Sequence, residues 1–526
     1  MWQQNYFPVA NSLAWSTLVA AAPIFALLLL LGVLRKPAWM ASLVGLGVAA
    51  VVAGGAYGMP VGPLVSAIGY GAAFGLFPIG YVVFAAILLY RITLESGLFE
   101  VLKDSIGHLT SDRRLQALLI AFAFGAFVEG AAGFGTPVAV AAAMLVGLGF
   151  EAFEAAGICL LANTAPVSFG SIGIPVATLA VITGLPLARL SAGVGRLCAP
   201  TALFLPAYIV WVMSGRKGLR EVLPVAATCG VAFGVVQFVV SNFIGPQLTN
   251  ILASMAGMLV VFLFCHGKRN RGQMAHSGRR VMLAWTPYAL LVVFILTWGF
   301  LQSVLNRYSI VIQWPGLHNA VERMPPVVAH PTGYAAVYNF SWLSAAGTAC
   351  LLAAVVSALV VGLTPRQMWN VLAHTSRQLA LAELTLAAVL ALAFLMNYSG
   401  STATLGLAFA TTGVMFPFFS AMLGWVGVFL TGSDTSANAL FGGLQVVTAT
   451  KLGMNPVLMA AANSSGGAMG KMISLTSIAV AAAVTGMPPK DEARLFRFSL
   501  KHAVLLCAVI GLLTMFFAYV ATGWAP

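Results

Sequence analysis

The stretch Glu129-Gly-Ala-Ala-Gly-Phe-Gly-Thr-Pro137 interrupts an apolar run over residues 115–150. Its glycines permit unusual backbone angles, and Pro137 has no backbone N–H to donate. In hydrocarbon, the backbone groups that such a segment leaves unpaired need protein, ligand or water as partners. Each half of the run is too short to cross a bilayer comfortably. The stretch therefore predicts the tip of a re-entrant hairpin that faces a polar cavity within a membrane.

The composition places the rest of the chain in lipid as well. Of the 526 residues, 60% are hydrophobic and 7% are charged, and the mean hydropathy is +0.96. Soluble domains are roughly 25% charged, and no water-soluble fold could keep this many apolar residues away from water. We therefore predict an all-α polytopic membrane protein, with one transmembrane domain over residues 1–526. The predicted spans, each of about 20 or more apolar residues, are 12–34, 37–57, 62–90, 153–184, 190–213, 221–241, 246–265, 281–303, 342–362, 376–396, 455–486 and 498–521.

These segments give about 12 transmembrane helices, and two broken runs, 115–150 and 411–450, are predicted as re-entrant hairpins. The net charge of +13 comes from basic residues in the short loops, which indicates the positive-inside rule rather than nucleic-acid binding. With these loops in the cytoplasm, both termini and the long loop 304–341 lie outside. The basic residues of the loops placed in the cytoplasm are Arg35, Lys36, Arg91, Lys103, Arg113, Arg114, Arg216, Lys217, Arg220, Lys268, Arg269, Arg271, Arg279, Arg280, Arg366, Lys490, Arg494, Arg497 and Lys501.

Four short matches at offsets of 300 to 303 residues indicate an internal repeat. They pair Gly125–Gly130 with Gly427–Gly432, Asn163–Gly170 with Asn463–Gly470, Thr183-Gly184 with Thr485-Gly486, and Ser96-Gly97 with Ser399-Gly400. Seven predicted helices separate the two hairpins, so the second copy is inverted relative to the first. Repeat one is predicted over about 62–213 and repeat two over about 376–521. Inverted repeats with broken helices near the midplane are a recurring plan of secondary transporters.

Two acids lie in the hairpin motifs, Glu129 in the first and Asp434 in Thr431-Gly-Ser-Asp-Thr-Ser-Ala-Asn438 of the second. A charged side chain is costly within a membrane, so an acid there is a candidate for function. We predict that Glu129 and Asp434 take part in proton coupling. They could instead be helix caps or structural, ion-paired acids.

Two further motifs, residues 163–175 and 463–474, interrupt long apolar runs and are interpreted as unwound helix centres. Lys471 is the only Lys or Arg within the four motifs and could pair with a substrate carboxylate or with Asp434, or extend from a helix end to the membrane surface. The predicted substrate-binding residues are Gly130, Gly133, Gly135, Thr136, Asn163, Thr164, Ser168, Ser433, Thr435, Ser436, Asn438, Asn463, Ser464, Ser465 and Lys471.

Motifs for cofactor chemistry are missing from the sequence. Gly466–Lys471 lacks the spacing and the following Ser or Thr of a phosphate loop. No HExxH or GxSxG occurs, and the six cysteines form no CxxC. No cofactor or metal is therefore expected, and neither is nucleic-acid binding.

Several motifs resemble those of the bacterial L-lactate permease family. They are Trp2–Tyr6, Glu129–Pro137, Asn163–Pro166, Ser241–Pro246, Arg323–Val327, Asn397–Gly400, Gly424–Ser436 and Gly470–Ser474. The resemblance covers essentially the whole chain and implies proton-coupled uptake of L-lactate, often with D-lactate and glycolate, across the cytoplasmic membrane of a bacterium. The family is grouped with a wider ion-transporter superfamily whose members are often dimers that move by an elevator motion. Two features depart from the family pattern: the loop around 266–280 is short, and Glu383 has no counterpart that we recognise.

Three other functions have to be compared with the sequence. A sodium-coupled carrier of carboxylates or inorganic anions would have the same architecture, and the hydroxyl-rich second hairpin would suit Na⁺. A membrane enzyme would need a nucleophile and a base, but no histidine lies in the apolar motifs. A passive channel would not accumulate its substrate.

Overall fold

A computed structural model describes residues 1–34, 36–107, 109–133, 136–266 and 276–525. Arg35, Gly135, Lys268, Arg269 and Arg271, which enter the sequence-based predictions, lie outside the described residues. The α-helices, in chain order, are α1 (Leu13–Leu28), α2 (Ala38–Val51), α3 (Val61–Phe74), α4 (Tyr81–Glu95), α5 (Leu98–Gly107), α6 (Arg113–Gln116), α7 (Gly125–Ala131), α8 (Thr136–Gly147), α9 (Ala152–Ala162), α10 (Ile174–Thr183), α11 (Leu187–Phe243), α12 (Thr249–His266), α13 (Gly278–Leu305), α14 (Ala346–Val361), α15 (Pro365–Ser399), α16 (Ser401–Phe409), α17 (Phe416–Thr431), α18 (Asp434–Lys451), α19 (Pro456–Lys471), α20 (Leu475–Thr485) and α21 (Pro489–Tyr519).

Short π-helical and 3₁₀ segments extend or link these helices. The π-helical segments are Leu29–Val33, Val52–Ala56, Gly75–Gly80 and Ala117–Phe124, and the 3₁₀ segments are Ser171–Gly173, Asn306–Tyr308, Ala410–Met415 and Thr522–Trp524. Across the described ranges, ten continuous helical stretches are long and apolar enough to cross a membrane. The almost entirely helical, multi-pass fold that the composition predicts is therefore confirmed.

The ten stretches in the described ranges do not correspond one to one with the twelve predicted spans. The differences come from features of individual segments. The predicted spans 190–213 and 221–241 form one run, α11, which turns only at Gly215, where φ is 64°. Helices α12 and α14 have 18 and 16 residues, so they are short for a complete crossing. The first half of the first predicted hairpin is longer than expected: residues 113–131 are continuously helical over 19 residues and count among the ten stretches. That the two hairpins are re-entrant stays a prediction.

The segment 304–341, which we predicted as an external loop, contains four short strands. They are β2 (Ile310–Gln313), β3 (Val321–Arg323), β4 (Thr332–Gly333) and β5 (Val337–Phe340), after β1 (Trp2–Gln3) at the start of the chain. β1 pairs in parallel with β3, which pairs antiparallel with β4, and β2 pairs antiparallel with β5. Because β1 lies against β3, the N-terminus and this segment are on the same side of the membrane.

The motif Trp2–Tyr6 lies beside Asn397–Gly400, although almost 400 residues separate them. The Gln4 amide donates to the carbonyl oxygens of Asn397 and Tyr398, at 2.9 and 2.8 Å. These carbonyls belong to the last turn of α15, where helix ends leave acceptors unpaired. The N-terminal segment therefore caps this buried helix end.

The helices form two groups. In one group, α15 packs against α2, α3 and α4, and α14 packs between α4 and α13. The other contains α7–α12 and α17–α21, with α19 at its centre in contact with α11, α17, α18 and α21. This second group holds all four sequence motifs.

Helix starts in the two predicted repeats correspond. Thr136, Ala152, Ile174 and Leu187 begin α8 to α11, and Asp434, Pro456, Leu475 and Pro489 begin α18 to α21, at offsets of 298, 304, 301 and 302 residues. Two of the matched glycine pairs also share a left-handed conformation: φ is 68° and 90° at Gly97 and Gly400, and 68° and 66° at Gly184 and Gly486. The inverted orientation of the repeats stays a prediction.

Close packing of α17 on α19 depends on glycines. A Cβ atom on Gly466 would overlap the Ala421 carbonyl oxygen, and one on Gly470 would overlap that of Trp425. The α17 side contributes Gly424, where a Cβ atom would overlap the Asn463 carbonyl oxygen. Small residues at such contacts let helix backbones approach within a membrane.

Gly466→Ala is therefore expected to lower the free energy of unfolding in detergent by about 1–3 kcal/mol, because α17 and α19 must separate. Thermal unfolding of the purified protein measures this change. Gly47→Ala is the matched control, since Gly47 also lies within a helix but has nothing within 4 Å of its Cβ position. An equal effect of both variants would contradict the close-packing role.

Candidate functional site

A cavity of about 250 Å³ lies where the two hairpin tips meet the two helix interruptions. The interruptions are residues 163–173, between α9 and α10, and residues 472–474, between α19 and α20. The lining residues are Glu129, Gly133, Val167, Gly170, Ser171, Ile174, Pro175, Thr431, Gly432, Ser433, Asp434, Thr435, Lys471, Thr476, Ser477 and Val480.

Glycine permits the sharp turn at each hairpin tip. Gly133 has φ of 58° just after α7, and Gly432 has φ of 71° between α17 and α18. At the second tip, the Ser433 hydroxyl accepts a hydrogen bond from the Ser436 backbone N–H at 3.3 Å and caps α18. Residues after this cap begin a helix, so their N–H groups and the positive end of the helix dipole lie near the cavity.

The first interruption is held open by amide side chains from neighbouring helices. The Asn250 amide of α12 donates to the carbonyl oxygens of Pro166 and Gly170, at 2.7 and 2.8 Å. The Gln237 amide of α11 donates to the Ala165 carbonyl oxygen at 3.2 Å. These bonds replace helical ones that the unwound segment lacks. Neither residue was predicted to support the site, although a polar amide within an apolar helix was an available signal.

Asn250→Ala is expected to destabilise this interruption by about 1–3 kcal/mol, because it leaves two buried carbonyl groups without donors. We expect lower thermal stability. We also expect the transport rate to fall by more than the decrease in the amount of folded protein explains. The adjacent Thr249→Ala is the control, since the Thr249 hydroxyl donates only to Gly245 within its own chain segment. Normal transport by a stable Asn250→Ala protein would contradict this role.

Asp434 is the first residue of α18 and is 4% exposed. Its Oδ2 atom accepts hydrogen bonds from the Ser464 hydroxyl at 2.7 Å and the Asn438 amide at 3.4 Å. The network continues because Asn463 donates to Asn438 Oδ1 and accepts from Gln445. The Oδ1 atom of Asp434 is buried and has no hydrogen-bond partner among the described residues.

Glu129 lies on the opposite hairpin and is 5% exposed. Its Oε2 atom is buried without a hydrogen-bond partner in the described structure. The polar side chains near it are Asn163 and Lys471. Among the described residues, no hydrogen-bonded network like that of Asp434 extends behind the Glu129 carboxyl group, because the Asn163 amide atoms are themselves buried without further partners.

Lys471 ends α19 and lines the same cavity as the two acids. Its ammonium group donates to the Gly432 carbonyl oxygen at the tip of the second hairpin. It interacts electrostatically with both Glu129 and Asp434 but makes no direct ion pair with either in the described part of the chain. Two acids and one cation thus face one small cavity.

The predicted site residues divide into two layers around this cavity. Six line it directly: Glu129, Gly133, Ser433, Asp434, Thr435 and Lys471. Eight others are buried behind the lining in the helices or interruptions: Gly130, Asn163, Thr164, Ser168, Ser436, Asn438, Asn463 and Ser464. Ser465 is also buried in α19, with a hydroxyl that has no partner among the described residues, and Thr136 begins α8.

Contacts explain several positions in the second layer. Gly130 packs closely against Asn250 and Ile251 of α12, and the Thr164 hydroxyl donates to the Leu161 carbonyl oxygen. The Ser168 hydroxyl donates to the Ser464 carbonyl oxygen at 3.3 Å. The Ser464 hydroxyl, whose proton is directed to Asp434, lies 3.4 Å from the Ser168 carbonyl oxygen. These contacts join the two predicted repeats next to the cavity.

One local prediction is wrong in its extent. Residues 463–474 were predicted as an unwound helix centre, but α19 is helical through Lys471 and only residues 472–474 interrupt the run. Gly466 and Gly470 serve the close contact with α17 rather than a break. The cavity residues Ser171, Thr476 and Ser477 were not predicted; the last two are in the first turn of α20.

Within the described ranges, no group of three or more His, Cys, Asp or Glu residues is arranged to hold a metal ion. The polar groups of the cavity are hydroxyls, carboxyls, an ammonium group and exposed backbone. Such groups suit a small, hydrophilic organic anion or a cation.

A multi-pass helical chain with a polar cavity between hairpin tips and interrupted helices defines a membrane transporter. The L-lactate permease family matches this chain over residues 16–521. Glycolate permease GlcA of Escherichia coli strain K12 is 42% identical over 555 residues, covering 99% of each chain. The L-lactate permeases of Bacillus subtilis strain 168 and E. coli strain K12 are each 41% identical and cover 100% of both chains. The chain therefore belongs to the L-lactate permease family.

Two solved transporter structures are similar over most of the chain. MtrF of Neisseria gonorrhoeae has 14% sequence identity and a TM-score of 0.47, covering 87% of this chain and 83% of MtrF. The YdaH transporter of Alcanivorax borkumensis has 14% identity and a TM-score of 0.49, covering 88% of each chain.

Proposed function

We propose that this protein is a secondary active transporter that carries L-lactate, and also D-lactate and glycolate, together with a proton. The observation that carries the proposal is that Lys471, Glu129 and Asp434 line one small cavity rich in hydroxyl groups. The names of the relatives support lactate and glycolate as substrates.

The substrate carboxylate would bind at the Lys471 ammonium group and the start of α20. Lys471 supplies the positive charge, and Thr476 and Ser477 supply hydroxyl donors in the first turn of that helix. Helix starts favour anions because their first N–H groups are unpaired and the dipole is positive there. Ser433 and Thr435 would complete the contacts to the carboxylate and the 2-hydroxyl group.

Glu129 is the proposed proton carrier, and Asp434 is proposed to stay ionised. Each acid has one buried oxygen without a partner in the described structure, Glu129 Oε2 and Asp434 Oδ1. Only Asp434 also accepts two side-chain hydrogen bonds there, from Ser464 and Asn438, which stabilise a charge. Burying a carboxylate without donors is costly. If Glu129 binds one proton when one lactate anion enters, the net charge of the cavity is the same before and after loading.

The proposed site in the cell is the bacterial cytoplasmic membrane, with the basic loops inside and both termini outside. The pairing of β1 with β3 supports this topology, because it keeps the N-terminus and the segment 304–341 on one side. Alternating exposure of a site between inverted repeats is the proposed transport mechanism. We also propose that two copies of the chain form a homodimer and that the alternating exposure takes place by an elevator motion.

Uptake of labelled L-lactate and glycolate into proteoliposomes tests the proposed function. With the interior alkaline and no sodium present, we expect accumulation above equilibrium, and a protonophore should abolish it. Accumulation that requires Na⁺ would instead favour the sodium-coupled carrier, and equilibration without accumulation would favour a channel.

A further inference from the structure

The cavity is lined by chemically different residues from the two halves of the chain. Its second-half residues are mostly polar: Thr431, Ser433, Asp434, Thr435, Lys471, Thr476 and Ser477 carry polar side chains, and Gly432 and Val480 do not. From the first half of the chain, only Glu129 and Ser171 are polar, and the rest of that wall is Gly133, Val167, Gly170, Ile174 and Pro175.

Two branched side chains dominate the apolar wall. Val167 lies in the first helix interruption, and Ile174 is the first residue of α10, immediately after that interruption. They are 3% and 4% exposed, so surrounding atoms fix their positions. Val167 packs in a cluster with Ala421, Ala468 and Met469, which leaves it little freedom to move away from a ligand.

A short 2-hydroxy acid has a similar division into polar and apolar groups. Its carboxylate and hydroxyl groups need donors and charge, and the substituent on C2 needs an apolar surface. That substituent is a hydrogen atom in glycolate, a methyl group in lactate and an ethyl group in 2-hydroxybutyrate. With the polar groups held by Lys471 and the α20 hydroxyls, the substituent faces the wall of the first half.

We infer that Val167 and Ile174 form the subsite for the C2 substituent and set the largest 2-hydroxy acid that the cavity accepts. This inference rests on the proposed function. Burying one methyl group changes affinity about fourfold, and discrimination between substrates that differ by one methylene is roughly 10- to 200-fold. The size of the Val167 and Ile174 side chains therefore determines the relative uptake rates of glycolate, lactate and 2-hydroxybutyrate.

Initial uptake rates of these three acids, measured with purified full-length protein in proteoliposomes, test the subsite. In Ile174→Ala, the lactate-to-glycolate ratio should fall about fourfold, because the methyl group loses a contact surface. The 2-hydroxybutyrate-to-lactate ratio should rise about tenfold, because the ethyl group gains room. The conservative Ile174→Val should shift both ratios in the same direction by a smaller factor, and it removes only one methyl group from the core.

Ile182→Ala is the matched control, because Ile182 lies on the same helix, is 6% exposed and does not line the cavity. It should change neither ratio by more than about twofold, the effect expected away from the subsite. Equal loss of all three substrates in both Ile174 variants, or the same shift in Ile182→Ala, would overturn the inference while the proposed function stands. No uptake of any of the three acids by the wild type would overturn the proposed function and the subsite with it.

Discussion

Lys471→Met is expected to lower the initial rate of L-lactate uptake about 100-fold or more. Removing one partner of a buried charged contact typically costs enough free energy for a loss of this size. Methionine keeps the length and apolar stem of lysine but removes the only cation that lines the cavity in the described structure. The substrate carboxylate would then meet Glu129 and Asp434 without a compensating positive charge.

Two further substitutions show whether that loss of uptake is due to the positive charge at position 471. Lys471→Arg keeps the charge and should retain part of the activity, although its larger planar group fits the Gly432 carbonyl less well. Lys451→Met is the matched control, because Lys451 is exposed at the end of α18. Proteoliposome uptake should be compared at equal amounts of folded protein. Normal uptake by Lys471→Met would exclude Lys471 from substrate binding.

Glu129→Gln is expected to abolish accumulation driven by a pH gradient while exchange of internal for external lactate continues. Glutamine is close to glutamate in shape but cannot carry the proton, so the loaded cavity remains formed without coupling. Exchange requires only that the loaded site reach both sides of the membrane. Counterflow of labelled L-lactate, measured beside net uptake in the same liposomes, separates the two processes.

Glu151→Gln provides the control for this loss, since Glu151 is an exposed acid before α9 whose side chain makes no capping hydrogen bond. Asp434→Asn is expected to impair both net uptake and exchange, because Asp434 organises the network through Ser464 and Asn438. The opposite pattern, with exchange preserved in Asp434→Asn and lost in Glu129→Gln, would assign the proton to Asp434.

Sequence patterns identified the parts of the fold that depend on hydrophobicity and on unusual backbone. Apolar runs predicted the helices, and the matched glycines Gly184 and Gly486 each follow the end of a helix with positive φ in the structure. Motif spacing also pointed to the four segments that meet at the cavity. These features could be found because each has a local physical cause in its own stretch of sequence.

The details that depend on distant partners could not be found in this way. The motif 463–474 was predicted to be unwound, whereas its Gly466 and Gly470 allow contact between α19 and the α17 backbone. Asn250 supports a segment 80 residues earlier in the chain, and only the folded structure brings the two together. The strands of 304–341 were missed because their pairing depends partly on the distant N-terminus.

Proton movement that accompanies lactate movement tests proton coupling most directly. Proteoliposomes that contain a pH-sensitive dye, in sodium-free buffer, should acidify inside when L-lactate is added outside, and faster than protein-free liposomes. Proton symport through Glu129 predicts that Glu129→Gln reduces this acidification to the rate of the protein-free liposomes. Entry of labelled lactate without protein-dependent acidification, or entry only when sodium is added, would contradict it.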